Sequence, residues 1–341
     1  MGRVCSTVLL TTLGAVFGSC CPVILVRRRW YMHGTQEATA WVNRALTWLL
    51  AAVHGLVVRL SRNVVTVAGV KVFAHRGAST QYAEHTRAAF SHALAVGADG
   101  VETDVQITSD GVLVCWHDTT VNRTSDGQGD VQAHTLAQMR ALDVHSWKAR
   151  SKVLPTAYGR TTNQLLTLDE LTELLVAAGR PVELAVEMKV TPSTAGLIED
   201  AVLAWLQRWG WDATTGVLCP NGQAGVVSVS IMSFSLNALD RVADAVPAAR
   251  LCPLFDSFNA HALQIGSPET TPGPAELLGP STGWLAHHAS LLRSWTEAGR
   301  TVRMWTVATD RQLQTARSLG IQQVTVDDPA WALERAAAVT V

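Results

Sequence analysis

Two histidines, an arginine and two carboxylates stand at the ends of apolar, strand-like runs between Val72 and Asp118. The segments read V-F-A-H-R-G at Val72–Gly77, A-E-H-T at Ala83–Thr86, V-E-T-D-V at Val101–Val105 and C-W-H-D at Cys115–Asp118. Packing alone does not put ionisable groups there, because a buried charge is costly unless it is paired or metal-bound. A further pair, Glu187 and Lys189, closes the apolar run Val182–Lys189. Residues two apart on a strand share a face, so Glu102 points with Asp104 and Glu187 with Lys189. Three carboxylates facing one mouth repel each other without a cation, and an oxygen-only ligand set favours Mg²⁺ or Ca²⁺ over zinc. Salt bridges from these acids to Arg76 and Lys189 are the competing structural reading. The same two cations suit phosphate oxygens, Arg76 through its planar fork. His75 and His117 titrate near neutrality, so one can take a proton while the other gives one. Together these residues point to a metal-assisted site for an anionic substrate.

The elements that must position them alternate strand and helix. Strand patterns cover Val70–His75, Val101–Thr108, Val112–His117, Val182–Lys189, Val226–Ser233, Val302–Val307 and Gln323–Val326. Helical patterns cover Glu84–Val96, Thr135–Leu142, Leu168–Ala178, Thr194–Trp209, Ser235–Val246, Arg311–Leu319 and Pro329–Ala338. Ser109-Asp110-Gly111 reads as the turn of a hairpin. Repeated β-then-α order predicts a parallel sheet with crossover helices, and about 270 residues is the usual size of a TIM-type (β/α)₈ barrel. Active groups of such barrels lie at the C-terminal strand ends, where these motifs fall. Gly266–Gly283 is rich in Pro, Gly, Ser and Thr and reads as a long loop, with a seventh strand expected around Gly283–His287.

The chain has 341 residues, 48% of them hydrophobic and 16% charged, enough for a sizeable core. A net charge of −1 argues against bulk nucleic-acid binding. Of 27 basic and 28 acidic residues, seven arginines and one glutamate fall in residues 1–69. That region is expected to be a membrane or anchor segment preceding a catalytic domain at 70–341. Val8–Val26 has 19 residues without a charge, between Arg3 and Arg27-Arg28-Arg29, and is long enough for a transmembrane helix. The heavier positive flank places the following domain on the cytoplasmic side; a cleaved export signal is the alternative. Trp41–Leu60 reads as an amphipathic interfacial helix or a second, poor span. Six scattered cysteines without a C-x-x-C pair signal neither a disulfide framework nor a zinc site.

The run H-R-G-A-S at His75–Ser79, E-H-T, G-A-D-G-V-E-T-D-V, D-G-V-L-V, H-D and N-R-T-S-D-G resembles the glycerophosphodiester phosphodiesterase family. L-T-L-D-E-L at Leu166–Leu171, E-M-K at Glu187–Lys189, Ser233-Phe234, M-W-T-V at Met304–Val307 and V-D-D-P at Val326–Pro329 extend the resemblance from Val70 to Ala338. It implies a barrel that hydrolyses glycerophosphodiesters to glycerol 3-phosphate and an alcohol with one divalent metal. By that resemblance His75 and His117 form the general acid/base pair, and Glu102, Asp104 and Glu187 hold the metal. Arg76 and Lys189 grip the phosphate, while Trp305 walls the pocket. Three departures stand out: E-H-T puts His85 in place of an amide beside Glu84, Ala308 replaces an amide after W-T-V, and Ala157–Gln164 reads as an insertion. A lysophospholipase D acting on membrane lysolipids is the nearest alternative. A membrane-tethered barrel that binds lipid headgroups without turnover is the second.

Overall fold

The computed structural model describes residues 69–148, 154–220, 225–258 and 275–337. By its contacts the chain divides into Met1–Val67 and Ala68–Val341. Among the described residues, eleven strands run in chain order: β1 (Lys71–His75), β2 (Gly100–Ile107), β3 (Leu113–Cys115), β4 (Val182–Met188), β5 (Trp211–Asp212), β6 (Val217–Leu218), β7 (Val227–Ser233), β8 (Leu251–Phe255), β9 (Leu277–Pro280), β10 (Thr301–Met304) and β11 (Gln323–Val326). Eight of them pair in parallel in the cyclic order β1-β2-β4-β7-β8-β9-β10-β11, and β11 returns to β1. The sheet is therefore a closed TIM-type barrel. β2 and β4 are buried at every position, since helices cover one face and the barrel interior fills the other.

Hydroxyl caps start the crossover helices close behind the strands. Thr86 Oγ1 accepts from Ala89 N–H ahead of helix Arg87–Ala95, and Thr167 with Glu170 forms a capping box ahead of Leu168–Ala177. Glycine is required where backbone and ring crowd: a Cβ on Gly100 would sit 2.4 Å from the Phe73 ring, which occupies the barrel interior. Below the mouth that interior holds a buried ion pair. Arg303 Nη2 lies 2.5 Å from Glu183 Oε1, its Nε donates to Gln323 Oε1 and its Nη1 to Ser230 Oγ. The guanidinium also stacks over Phe73, 4.1 Å from the ring centroid.

Several elements differ from expectation. The helix predicted from Glu84 begins at Arg87, because Thr86 caps it and His85 has a left-handed backbone (φ 60°). Glu84 and His85 are thus turn residues. Val112–His117 shortens to β3, an antiparallel partner of β2 outside the barrel circuit, so His117 lies two residues beyond a strand. Leu251–Phe255, not anticipated as a strand, is one of the eight. The strand expected as seventh around Gly283–His287 is instead Leu277–Pro280, the sixth of the eight, and Gly283–His287 belongs to the helix Thr282–Glu297 capped by Ser281. Ala157–Gln164 packs onto the helix Arg87–Ala95 through Gln164, whose Oε1 accepts from Ala88 N–H and whose Nε2 donates to the carbonyls of Tyr158 and Arg160. Val8–Val26 and Trp41–Leu60 lie outside the described residues, and among the described residues no helix is long and apolar enough to cross a membrane.

Candidate active site

At the C-terminal end of the barrel a cavity of about 130 Å³ opens. One wall is polar: His75, Arg76, Glu102, His117, Glu187 and Lys189. Met232, Phe234, Leu254 and Trp305 supply an apolar part of the lining. Trp305 is fixed edge-on to Phe234 and donates its Nε1–H to the Gly279 carbonyl at 2.8 Å. Asp104 lies behind the polar wall, 1% exposed.

Glu102, Asp104 and Glu187 each offer a carboxylate oxygen, and the three lie within 4.8 Å of one another. Their registers explain this: Glu102 pairs with His75, and Asp104 with Glu187, so strand geometry delivers the acids side by side. Burial, then the charges of Asp104 and Glu187, push the Glu102 carboxyl well above the usual range. Burial and Asp104 push Glu187 up to about 8, against the pull of Lys189. Burial also works against ionised Asp104, but Lys189 and Arg76 outweigh it and hold its carboxyl well below the usual range. Lys189 Nζ lies 3.1 Å from Asp104 Oδ1 and 2.5 Å from Glu187 Oε1; Arg76 Nε lies 3.2 Å from Asp104 Oδ2. Asp104 Oδ2 is nonetheless buried without a hydrogen-bond partner among the described residues. Two acids held up by burial and by the charge of Asp104, with one carboxylate oxygen that no hydrogen bond satisfies, make a donor set that fits a hard divalent cation. The salt-bridge reading accounts for Asp104 and gives Glu187 a share of Lys189, but among the described residues it gives Glu102 no ion pair.

Each cavity histidine has its Nδ1 on a carboxylate. His75 Nδ1 lies 2.7 Å from Asp327 Oδ1, and His117 Nδ1 lies 2.7 Å from Asp118 Oδ1. Ser79 Oγ donates to the same Asp327 oxygen at 3.2 Å. Asp118 is shared with Arg123, whose Nε donates at 2.7 Å and holds the Asp118 carboxyl down at about 2. Burial, with Lys189 and Arg76 nearby, lowers the His117 pKa despite Asp104. Glu84 is not one of the acid trio: it accepts from Arg76 Nη1 at 2.8 Å and from both terminal nitrogens of Arg123. Its predicted place beside the site is thus a clamp on Arg76. Asp118, Asp327 and Arg123 were quoted within motifs but given no role by sequence reasoning. Nothing local links His75 to a residue 252 positions away; the only signal was the position of V-D-D-P directly after a strand.

A closed β/α barrel with two cations, an acid trio and two carboxylate-oriented imidazoles at its mouth defines a barrel hydrolase of anionic esters. Residues 75–331 match the Glycerophosphoryl diester phosphodiesterase family. A relative from Mycobacterium tuberculosis (strain H37Rv), named "Probable glycerophosphodiester phosphodiesterase 1", is 36% identical over 258 residues, covering 76% of this chain and 89% of the relative. Among solved structures, the fold is shared with an Oleispira antarctica phosphodiesterase in complex with the product sn-glycerol-3-phosphate (TM-score 0.60, 20% identity, 78% of this chain and 96% of that one). It is also shared with a Thermotoga maritima glycerophosphodiester phosphodiesterase (TM-score 0.57, 21% identity, 78% and 97%). The chain belongs to the glycerophosphoryl diester phosphodiesterase family and is a phosphoric diester hydrolase. That membership sets aside the alternative of a headgroup-binding barrel without turnover.

Proposed function

We propose that this chain hydrolyses glycerophosphodiesters to sn-glycerol 3-phosphate and an alcohol, with His75 and His117 moving the protons. The observation that carries this reading is the pair of Nδ1–carboxylate bonds at 2.7 Å, which leave both Nε2 atoms for a substrate in the cavity. Arg76 and Lys189 offer charge for the phosphate oxygens. One Nε2 takes the proton of the attacking oxygen, either water directly or the neighbouring glycerol hydroxyl, in which case a water activated in the same way then opens the cyclic phosphate to the phosphomonoester. The P–O bond to the departing alcohol breaks, and the other Nε2 returns a proton to its alkoxide. Asp327 and Asp118 stabilise whichever ring is positive. Glu102, Asp104 and Glu187 are the residues to hold one divalent cation, Mg²⁺ or Ca²⁺. Such an ion supplies Lewis-acid polarisation of a phosphoryl oxygen. The test is glycerol 3-phosphate release from glycerophosphocholine before and after EDTA, with Mg²⁺ or Ca²⁺ restored. Release that is absent under every cation, or that EDTA leaves untouched, overturns the corresponding part of the reading.

The apolar wall of Met232, Phe234, Leu254 and Trp305 supports a second reading, a lysophospholipase D that accepts an acyl chain. Lysophosphatidylcholine turned over faster than glycerophosphocholine would favour it. The charge-free stretch Val8–Val26 ahead of Arg27–Arg29 supports a membrane tether with the barrel on the cytoplasmic side. Carbonate extraction and protease protection of the full chain test both parts, and release into the soluble fraction rejects the tether.

A further inference from the structure

Asp104 sits on β2 at a point where its neighbouring strand has already left. β1 ends at His75, paired with Glu102, whereas β2 continues to Ile107. The first rung beyond β1 is half made: Arg76 N–H donates to the Glu102 carbonyl at 3.0 Å. In a parallel ladder the Arg76 carbonyl would then accept from Asp104 N–H. Here Arg76 turns left-handed (φ 58°), and its carbonyl accepts instead from His85 N–H at 3.0 Å. Asp104 N–H is thereby left without a strand partner, deep in a site where an unsatisfied donor is costly. The His85 ring supplies the replacement. Asp104 N–H donates to His85 Nε2 at 3.1 Å, and the ring is 5% exposed. One residue thus closes both ends of the missing rung, its backbone on Arg76 and its imidazole on Asp104.

We infer that His85 is a positioning residue for Asp104, acting through Nε2 as a stand-in for a backbone carbonyl. The same nitrogen lies 3.2 Å from Asp104 Oδ2, but it cannot serve both atoms. Accepting from the N–H needs the Nε2 lone pair, so the ring hydrogen is on Nδ1 and Oδ2 receives nothing from the imidazole. That agrees with Oδ2 being buried without a hydrogen-bond partner among the described residues. The imidazole holds the ligand's backbone and leaves Oδ2, which faces Arg76 Nε at 3.2 Å, without a hydrogen bond from the ring.

The inference rests on the cation reading given above, and the test separates the two. Ca²⁺ and Mg²⁺ affinities of the full chain are measured by calorimetry for wild type, His85→Gln and His85→Leu, with circular dichroism as the fold control. The glutamine amide oxygen reaches the Nε2 position and can accept, whereas leucine cannot. His85→Leu should weaken cation binding by about 10–100-fold, the usual cost of losing a residue that orients a ligand. His85→Gln should stay within about threefold of wild type on the same reasoning. Nitrogen-15 spectra of the imidazoles should show His85 neutral with its hydrogen on Nδ1. A folded His85→Leu that binds cation as tightly as wild type, or a spectrum with hydrogen on Nε2, overturns the inference. A wild-type chain that binds neither cation overturns the cation reading instead, and the spectrum then decides the role of His85. If His85→Leu does not fold, His85→Gln and the spectrum carry the test.

Discussion

Asp327→Asn isolates the charge behind His75 without removing the side chain that orients it. The asparagine oxygen can still accept from His75 Nδ1, now at 2.7 Å from Asp327 Oδ1, so ring orientation should survive. What disappears is the negative charge that stabilises the imidazolium as it forms. A hydrogen bond to a charged group contributes about 1.5–3 kcal/mol. The Asp327 side chain is 49% exposed, so water screens it and the lower end applies. About 1.4 kcal/mol is tenfold in rate, which puts the expected loss in kcat at about tenfold. An amide that flips and forces the other tautomer would cost far more, on the order of 10⁴ in a Ser-His-Asp triad. Ser79→Ala removes only the 3.2 Å bond to the same oxygen and should be milder. The assay is steady-state release of glycerol 3-phosphate from glycerophosphocholine, with KM and Tm followed in parallel. KM and Tm should hold while kcat falls. A kcat within twofold of wild type, or a loss that tracks Tm, refutes the role given to Asp327.

His75→Ala and His117→Ala should each lower turnover by about 10²–10⁴-fold with an unchanged circular dichroism spectrum; near wild-type rates in both would remove the acid/base assignment. Arg303→Met leaves the buried Glu183 carboxylate without its main partner and should cost about 3 kcal/mol in urea unfolding, the low end for a broken buried pair because Arg250 lies 4.0 Å away. Adding Glu183→Gln should recover much of that loss, and no recovery argues against a charge-pair origin. Arg123 and its neighbours hold the Asp118 and Glu84 carboxyls below their ordinary values. The stability they contribute is therefore whole above the unfolded carboxylate range and is lost as pH falls toward 2. Arg123→Gln should flatten the dependence of Tm on pH between about 5 and 2, where unfolded carboxylates titrate; an unaltered slope would contradict this.

Period-2 patterning was enough to find the acid trio, because β2 and β4 deliver Glu102, Asp104 and Glu187 by neighbouring register alone. Alternation of strand and helix was enough for the barrel class. Elements with weaker local signals were not legible. β8 reads L-C-P-L-F, and a proline inside a run argues against a strand until the barrel supplies the pairing. β9 has four residues and gives too short a pattern to separate from the helix that follows. The partners of the histidines depend on closure of the circle: Asp327 follows the last strand and meets His75 on the first only because β11 pairs with β1. The replacement of an amide by His85 was visible in the sequence. Its meaning was not, since that lies in where β1 stops relative to β2.

The Arg303–Glu183 pair acts as a plug across the barrel bore. With Phe73 stacked against it, the described residues leave no passage through the bore beneath the reaction chamber, so arrival and departure share one doorway. The alcohol and the phosphomonoester must therefore leave in turn through the opening that the next substrate needs. Accumulated phosphomonoester should then compete with incoming diester, and the abundance of its own product would throttle the enzyme.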